Sequence, residues 1–317
     1  MATSLAEPAT LDANLEKDYR ANSLWRLTLR RILKQRSAVI GLWILGFILL
    51  VAIFADVLAP YDPYEDFIGE GNAKRRDPPC IHLLGCPEEN AQHIMGLEGN
   101  ARDVFSRIIF GARTSLFVGF SSVGFAIILG TIIGAVAGYL GGWADNIIMR
   151  LMDVLLAFPS LLLAIAIIMV LGPGLENALL AIAIVSIPVY ARVVRAGVLS
   201  VKETEYVEAS RALGAGHLPI IFQRILPNTL APLIVTGTLG IAGAILEAAA
   251  LSFIGLGAQE PTAEWGTMLG RERNQVFSAP HLVFFPGIAI MITVLGFNLL
   301  GDGLRDALDP RLSQASR

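Results

Sequence analysis

Six stretches of roughly the 20 residues needed to cross a bilayer carry almost no charge, and this limits most severely what the chain can become. They fall at about 38–58, 116–138, 150–171, 177–194, 229–249 and 281–301. The second is embedded in 31 consecutive uncharged residues, 114–144. In lipid each backbone polar group needs an internal partner, so such stretches must be helical. Charged residues make up 16% of the 317-residue chain, against about 25% in a soluble domain. Hydrophobic residues reach 54% and mean hydropathy is +0.62. The expectation is an all-α membrane protein with six transmembrane helices.

The intervening segments divide the chain further. Residues 1–36 read as a polar tail followed by a basic helix at 25–36, suited to the anionic inner leaflet or to a simple positive flank. The first span occupies 37–58, a loop 59–115, the remaining spans 116–301, and a tail 302–317. With the N-terminus inside, 16 Lys and Arg residues lie on the cytoplasmic side and 8 outside. That bias places both termini in the cytoplasm. The third span holds Pro159 as a kink, and Arg150 and Asp153 near its start read as interfacial. Glycines 119, 124, 130, 134 and 138 would let helices approach the second span closely.

A charged interval at 192–228 cannot lie in lipid, yet it is patterned. Ser200 and Glu203 fit a capping box. Tyr206, Ala209, Ser210 and Leu213 follow at helical spacing, with Glu205, Glu208 and Arg211 on another face. Gly214 stands where a helix ends in positive φ. A second short helix is expected from about 217 to 226, with Pro219 in its first turn and Pro227 stopping it. Two short helices meeting at a glycine suggest a docking element for a cytoplasmic partner.

On the outer side, 59–115 contains both cysteines, Cys80 and Cys86. A disulfide is chemically permitted there, with two unpaired thiols as the alternative. A metal site with His82 and His93 fits no zinc spacing. Residues 102–113 read as an amphipathic interfacial helix that Arg102, Asp103 and Arg107 hold in place. Glu247 is the single acid inside a proposed span. A hydrogen-bonded structural role is favoured for it over proton or substrate coupling, although an intramembrane acid is a functional candidate by default.

Some classes fit poorly. The four lysines, 17, 34, 74 and 202, are not followed by Ser or Thr, so the chain has no phosphate-binding P-loop. Any ATP would be bound by another subunit, and no cofactor or metal is expected on this chain. An ion-coupled secondary transporter should show paired intramembrane ionisable residues, which Glu247 alone does not supply. A membrane hydrolase would need a nucleophile with partners in the bilayer, and His82, His93, His217 and His281 all fall at aqueous or interfacial positions.

The interval ending at Pro227 resembles the EAA motif of binding-protein-dependent ABC importer permeases. Glu208, Ala209, Ser210, Gly214 and Ile225-Leu226-Pro227 carry the likeness, with Ser210 where the motif has Ala and no gap between Ile225 and Leu226. Residues 93–119, 149–165, 251–269 and 309–312 resemble the dipeptide and oligopeptide subfamily, with Ala101 replacing a glycine and a cysteine-bearing insertion in the outer loop. The resemblance implies a type I permease fold in the cytoplasmic (inner) membrane and a non-catalytic half-pore. Its implied partners are a second permease, two ATPase subunits and an extracytoplasmic solute-binding protein, besides membrane lipid and with no nucleic acid. Glu208, Ala209 and Gly214 would then contact the ATPase. Related permeases carry peptides, nickel, glutathione and some oligosaccharides.

Overall fold

The computed structural model of the chain describes residues 32–70 and 72–308, and apart from two isolated β-bridges the regular elements among them are helical. The expected N-terminal tail, most of the basic helix and residues 309–317 lie outside the described residues. In chain order the helices are α1 (Arg36–Ile53), α2 (Ala55–Leu58), α3 (Val104–Leu140), α4 (Gly142–Leu156), α5 (Ser160–Leu171) and α6 (Leu175–Lys202). They continue with α7 (Glu205–Ala212), α8 (Leu226–Phe253), α9 (Trp265–Glu272) and α10 (His281–Leu308). A helical turn His217–Pro219 and a π-helical turn Ile220–Ile225 lead into α8. Five helices are long and apolar enough to span a membrane: α1, α3, α6, the continuous His217–Phe253 and α10. A sixth span exists if α4 and α5 count as one.

Four boundaries differ from the sequence expectation. The expected interfacial helix at 102–113 is not separate: residues 104–113 form the first turns of α3, which runs unbroken for 37 residues. Gly111, the one weak point in that stretch, faces the Trp265 ring, where an added Cβ would come within 2.8 Å, so tertiary packing holds the helix together. The third span is not merely kinked: α4 and α5 meet at 91°. Pro159 lacks an N–H and disfavours the helical conformation in the residue before it, and the break falls there. Ser200 and Glu203 form no capping box, because α6 continues to Lys202. Instead the chain turns at Thr204, whose hydroxyl donates to the Val201 carbonyl at 2.6 Å. Finally, Pro227 does not stop a helix. It sits in the first turn of α8, where a missing N–H costs little, and the wider π-helical turn before it absorbs the mismatch.

Packing follows the glycines. Cβ atoms added at Gly130 and Gly138 would lie 2.7 Å from Tyr190 and 2.9 Å from Val198, and one at Gly134 would collide with the Ala191 carbonyl. The backbones of α3 and α6 can therefore touch only because those side chains are absent. One apolar cluster joins α3, α5, α6 and α8 around Ile168, Ile182, Val194 and Leu251. A second joins α1, α3, α8, α9 and α10 around Ile245, Phe297 and Trp265, whose indole N–H donates to the Ile108 carbonyl at 3.0 Å. Following the helices end to end puts α7 with the termini of α3, α6 and α10 at one end of the bundle. The loop 59–103 and α9 occupy the other end.

Candidate functional site

The element singled out by the sequence, α7, is eight residues long, and its buried anchor is Val207, which packs with Ile220 and Ile225. Along the stripe Tyr206, Ala209, Ser210, Leu213, both Ala209 and Leu213 are exposed, Leu213 at 88%. Glu208 lies in the exposed first turn. Leu218 and Phe222 add exposed apolar surface just beyond. Gly214 has φ +83°, a left-handed conformation that other residues adopt at a cost, and an added Cβ would touch nothing. The chain therefore reverses at Gly214 and leaves the surface around it open.

Contacts hold this element to α8 and α3, and further polar contacts tie α3 and α4 to α6. Asn228 Nδ2 donates to the Tyr206 hydroxyl at 3.1 Å and to the Arg224 carbonyl at 2.7 Å, fixing α7 to the base of α8. The Ser210 hydroxyl donates to the Tyr206 carbonyl at 2.8 Å. Tyr139 at the end of α3 sits 2.6 Å from His217 Nδ1, and the Arg211 guanidinium lies 5.9 Å from the Tyr139 ring centre. Lys202 Nζ reaches the Gly138 carbonyl at 3.2 Å, tying α6 to α3. Arg195 grips Asp145 through two hydrogen bonds of 2.5 and 2.6 Å, and Arg192 pairs with Asp153 at 2.6 Å, so α4 is tied to α6 as well. Displacing α7 would thus load the ends of α3, α6 and α8 together. Ile225 is buried beneath α7, Leu226 is half-buried and Pro227 is exposed.

The opposite end is held by ionic contacts in which Arg102, Asp103 and Arg107 take the holding role expected of them, with partners the sequence did not reveal. Glu98 lies 3.2 Å from Arg107, 3.6 Å from Arg102 and 3.7 Å from Arg271. Glu260 accepts from Arg102 at 2.8 Å and also pairs with Arg271. Glu272 binds Arg76 at 2.8 Å and the Gly99 amide at 3.0 Å. Asp103 caps α3 by accepting from the Ser106 amide at 2.7 Å while also contacting His93 at 2.9 Å. Burial pushes the Glu98 carboxyl up despite its arginines. Cys80 and Cys86 are joined in a disulfide, with Cα atoms 5.4 Å apart. No group of His, Cys, Asp and Glu suited to a metal occurs among the described residues.

Among the described residues the Glu247 carboxylate makes no hydrogen bond within this chain. It faces a cleft between α6 and α8 instead of a neighbouring helix.

The family described as "Binding-protein-dependent transport system inner membrane component" matches residues 130–314, and "N-terminal TM domain of oligopeptide transport permease C" matches residues 23–79. The chain is 50% identical over 297 residues to the dipeptide transport system permease protein DppC of Alkalihalophilus pseudofirmus, covering 94% of this chain and 93% of that one. It is 44% identical over 309 residues to the glutathione transport system permease protein GsiD of Pectobacterium atrosepticum, covering 96% of each. Identity to the di/tripeptide transport system permease protein DppC of Pseudomonas aeruginosa is 48% over 285 residues, covering 89% of this chain and 90% of that one. Among solved structures, a chain of the inward-facing MetNI methionine ABC transporter superposes with a TM-score of 0.53 at 20% identity. That superposition covers 64% of this chain and 97% of that one, a likeness of fold.

Proposed function

This chain belongs to the family of inner membrane components of binding-protein-dependent transport systems, and from that premise we propose that it forms half of the translocation pore of an ATP-driven importer for di- and oligopeptides. A second permease completes the pore, a solute-binding protein delivers cargo outside, and two ATPase subunits bind and hydrolyse ATP. This subunit is non-catalytic. Its termini and α7 lie on the cytoplasmic side, where Glu208, Ala209 and Gly214 meet the ATPase.

The observation that carries the reading is α7 itself. It offers exposed acidic and apolar surface while Tyr206 ties it to Asn228 of α8 and Arg211 lies over the Tyr139 ring at the end of α3. A rigid element with two positions is what transfers a nucleotide-driven movement to membrane helices. Glutathione is the second reading for cargo, supported by the 44% identity to a glutathione permease.

Gentle purification from the native membrane should recover an ATPase and a second permease with this chain, and vesicles holding the complex should accumulate labelled dipeptide only with ATP and the binding protein. Recovery of the chain alone would contradict the assembly. Accumulation of glutathione in preference to dipeptides would move the cargo to the second reading.

A further inference from the structure

Glu247 is the only acid in α8, and it stands six residues before Phe253, about 9 Å from that end of the helix at 1.5 Å per residue. A charged group in a membrane costs at least about 2.5 kcal/mol at the bilayer centre. Such a group normally has a partner, and among the described residues Glu247 has none. The cleft it lines, between α6 and α8, holds about 330 Å³. That is the lower end of the roughly 300–1,000 Å³ range of small-molecule sites, and far more than a single ion needs.

The polar lining has a consistent character. The Ser186 hydroxyl spends its proton on the Ile182 carbonyl at 2.7 Å, and the Thr236 hydroxyl spends its own on the Pro232 carbonyl at 2.8 Å. Each then offers only lone pairs to the cleft, as does an ionised Glu247. Among the described residues Tyr190 is the one lining side chain with a proton to give, and no Lys or Arg lines the cleft. Gly240 and Gly243 keep the α8 side shallow, and a Cβ at Gly240 would strike the Tyr190 hydroxyl. A wall of acceptors around one negative charge is complementary to a primary ammonium, which has three donors and no acceptor.

We infer that the α6–α8 cleft is a cargo subsite that receives the ammonium group of the transported molecule, with Glu247 as its counter-charge. The inference rests on the import reading above and narrows it to cargo carrying a free ammonium. Glu247 becomes a binding residue of the path and not a prop for the helix bundle.

The test uses the complete transporter in vesicles with a zwitterionic dipeptide. Glu247→Gln keeps shape and hydrogen bonding but removes the charge. Its maximal uptake should fall about tenfold or more, the factor set by one hydrogen bond to a charged group. Glu247→Asp should retain most of the rate, and both variants should insert and assemble as the wild type does. Because the native cysteines are paired with each other, Glu247→Cys introduces a lone thiol. A cationic ethylammonium thiosulfonate should label it, and loaded binding protein should slow that labelling. Undiminished uptake by Glu247→Gln, or a thiol sealed against the partner permease and never labelled, would overturn the subsite alone. Wild-type vesicles that import no peptide would remove the import reading and the subsite with it.

Discussion

The Arg107 guanidinium lies 3.2 Å from the Glu98 carboxylate, with both side chains almost wholly buried. Arg107 also donates to the Pro63 carbonyl at 2.8 Å, so one side chain joins α3 to two points of the loop 59–103. Removing one member of a buried pair strands the other. Arg107→Met should therefore destabilise the protein by about 3–5 kcal/mol. The double variant Glu98→Gln, Arg107→Met should recover part of that loss. Thermal midpoints of the purified variants in detergent test this, and an unchanged midpoint for Arg107→Met would refute it.

Glu260 sets a pH dependence at the same end. Burial pushes its carboxyl up, but the hydrogen bond from Arg102 and the charges of Arg271, Arg102 and Arg107 outweigh burial and hold it below the usual carboxylate range. A depressed acid contributes stability above its unfolded value of about 4.3 and loses that contribution as pH falls through the folded value. The gap in thermal midpoint between wild type and Glu260→Gln should accordingly be present at neutral pH and close on acidification. A gap that widens as pH falls would contradict this sign.

Gly134 and Gly124 make a matched pair within α3. A side chain at Gly134 meets the α6 backbone, whereas one at Gly124 meets nothing within 4 Å. Gly134→Leu should cost at least the roughly 1–3 kcal/mol typical of overpacking, because backbone and not a side chain is in the way. Gly124→Leu should be near neutral. Yield and thermal midpoint of the two variants compare them directly; equal behaviour would mean that α3 and α6 do not pack as described.

The Cys80–Cys86 disulfide spans only six residues, so its constraint is local. The chain-entropy estimate for so short a loop is about 2 kcal/mol. Alkylation of the folded protein should find no free thiol before reduction and two afterwards. Reduction should expose 59–103 to protease while leaving the spans protected. Proteolysis within α3 or α6 on reduction would show a wider role.

Much of the architecture was legible in the sequence because lipid leaves few choices. A run without charge must be a helix, and Gly214 at the end of a helical period must turn the chain. What stayed hidden depended on distant partners. Glu98 and Arg271 are far apart in sequence, and no local pattern places them 3.7 Å apart. Pro159 announced a disturbance without its size, and no local pattern gives the 91° angle between α4 and α5. Pro227 read as a stop because the π-helical turn that accommodates it leaves no local signature. The spacing of the α7 stripe gave a periodicity without a direction, and Ala209 and Leu213 are turned away from this chain's core.

The most direct test of the coupling role is the ATPase activity that loaded binding protein elicits from vesicles holding the whole transporter, measured on variants at Gly214 and Glu208. A β-branched residue in the left-handed conformation costs about 1–2 kcal/mol, enough to reduce coupling roughly tenfold. The account predicts that Gly214→Val and Glu208→Lys insert normally but lose stimulated hydrolysis and uptake together, while Gly214→Asn, which tolerates positive φ, keeps most of both. Full stimulation in Gly214→Val and Glu208→Lys would contradict it.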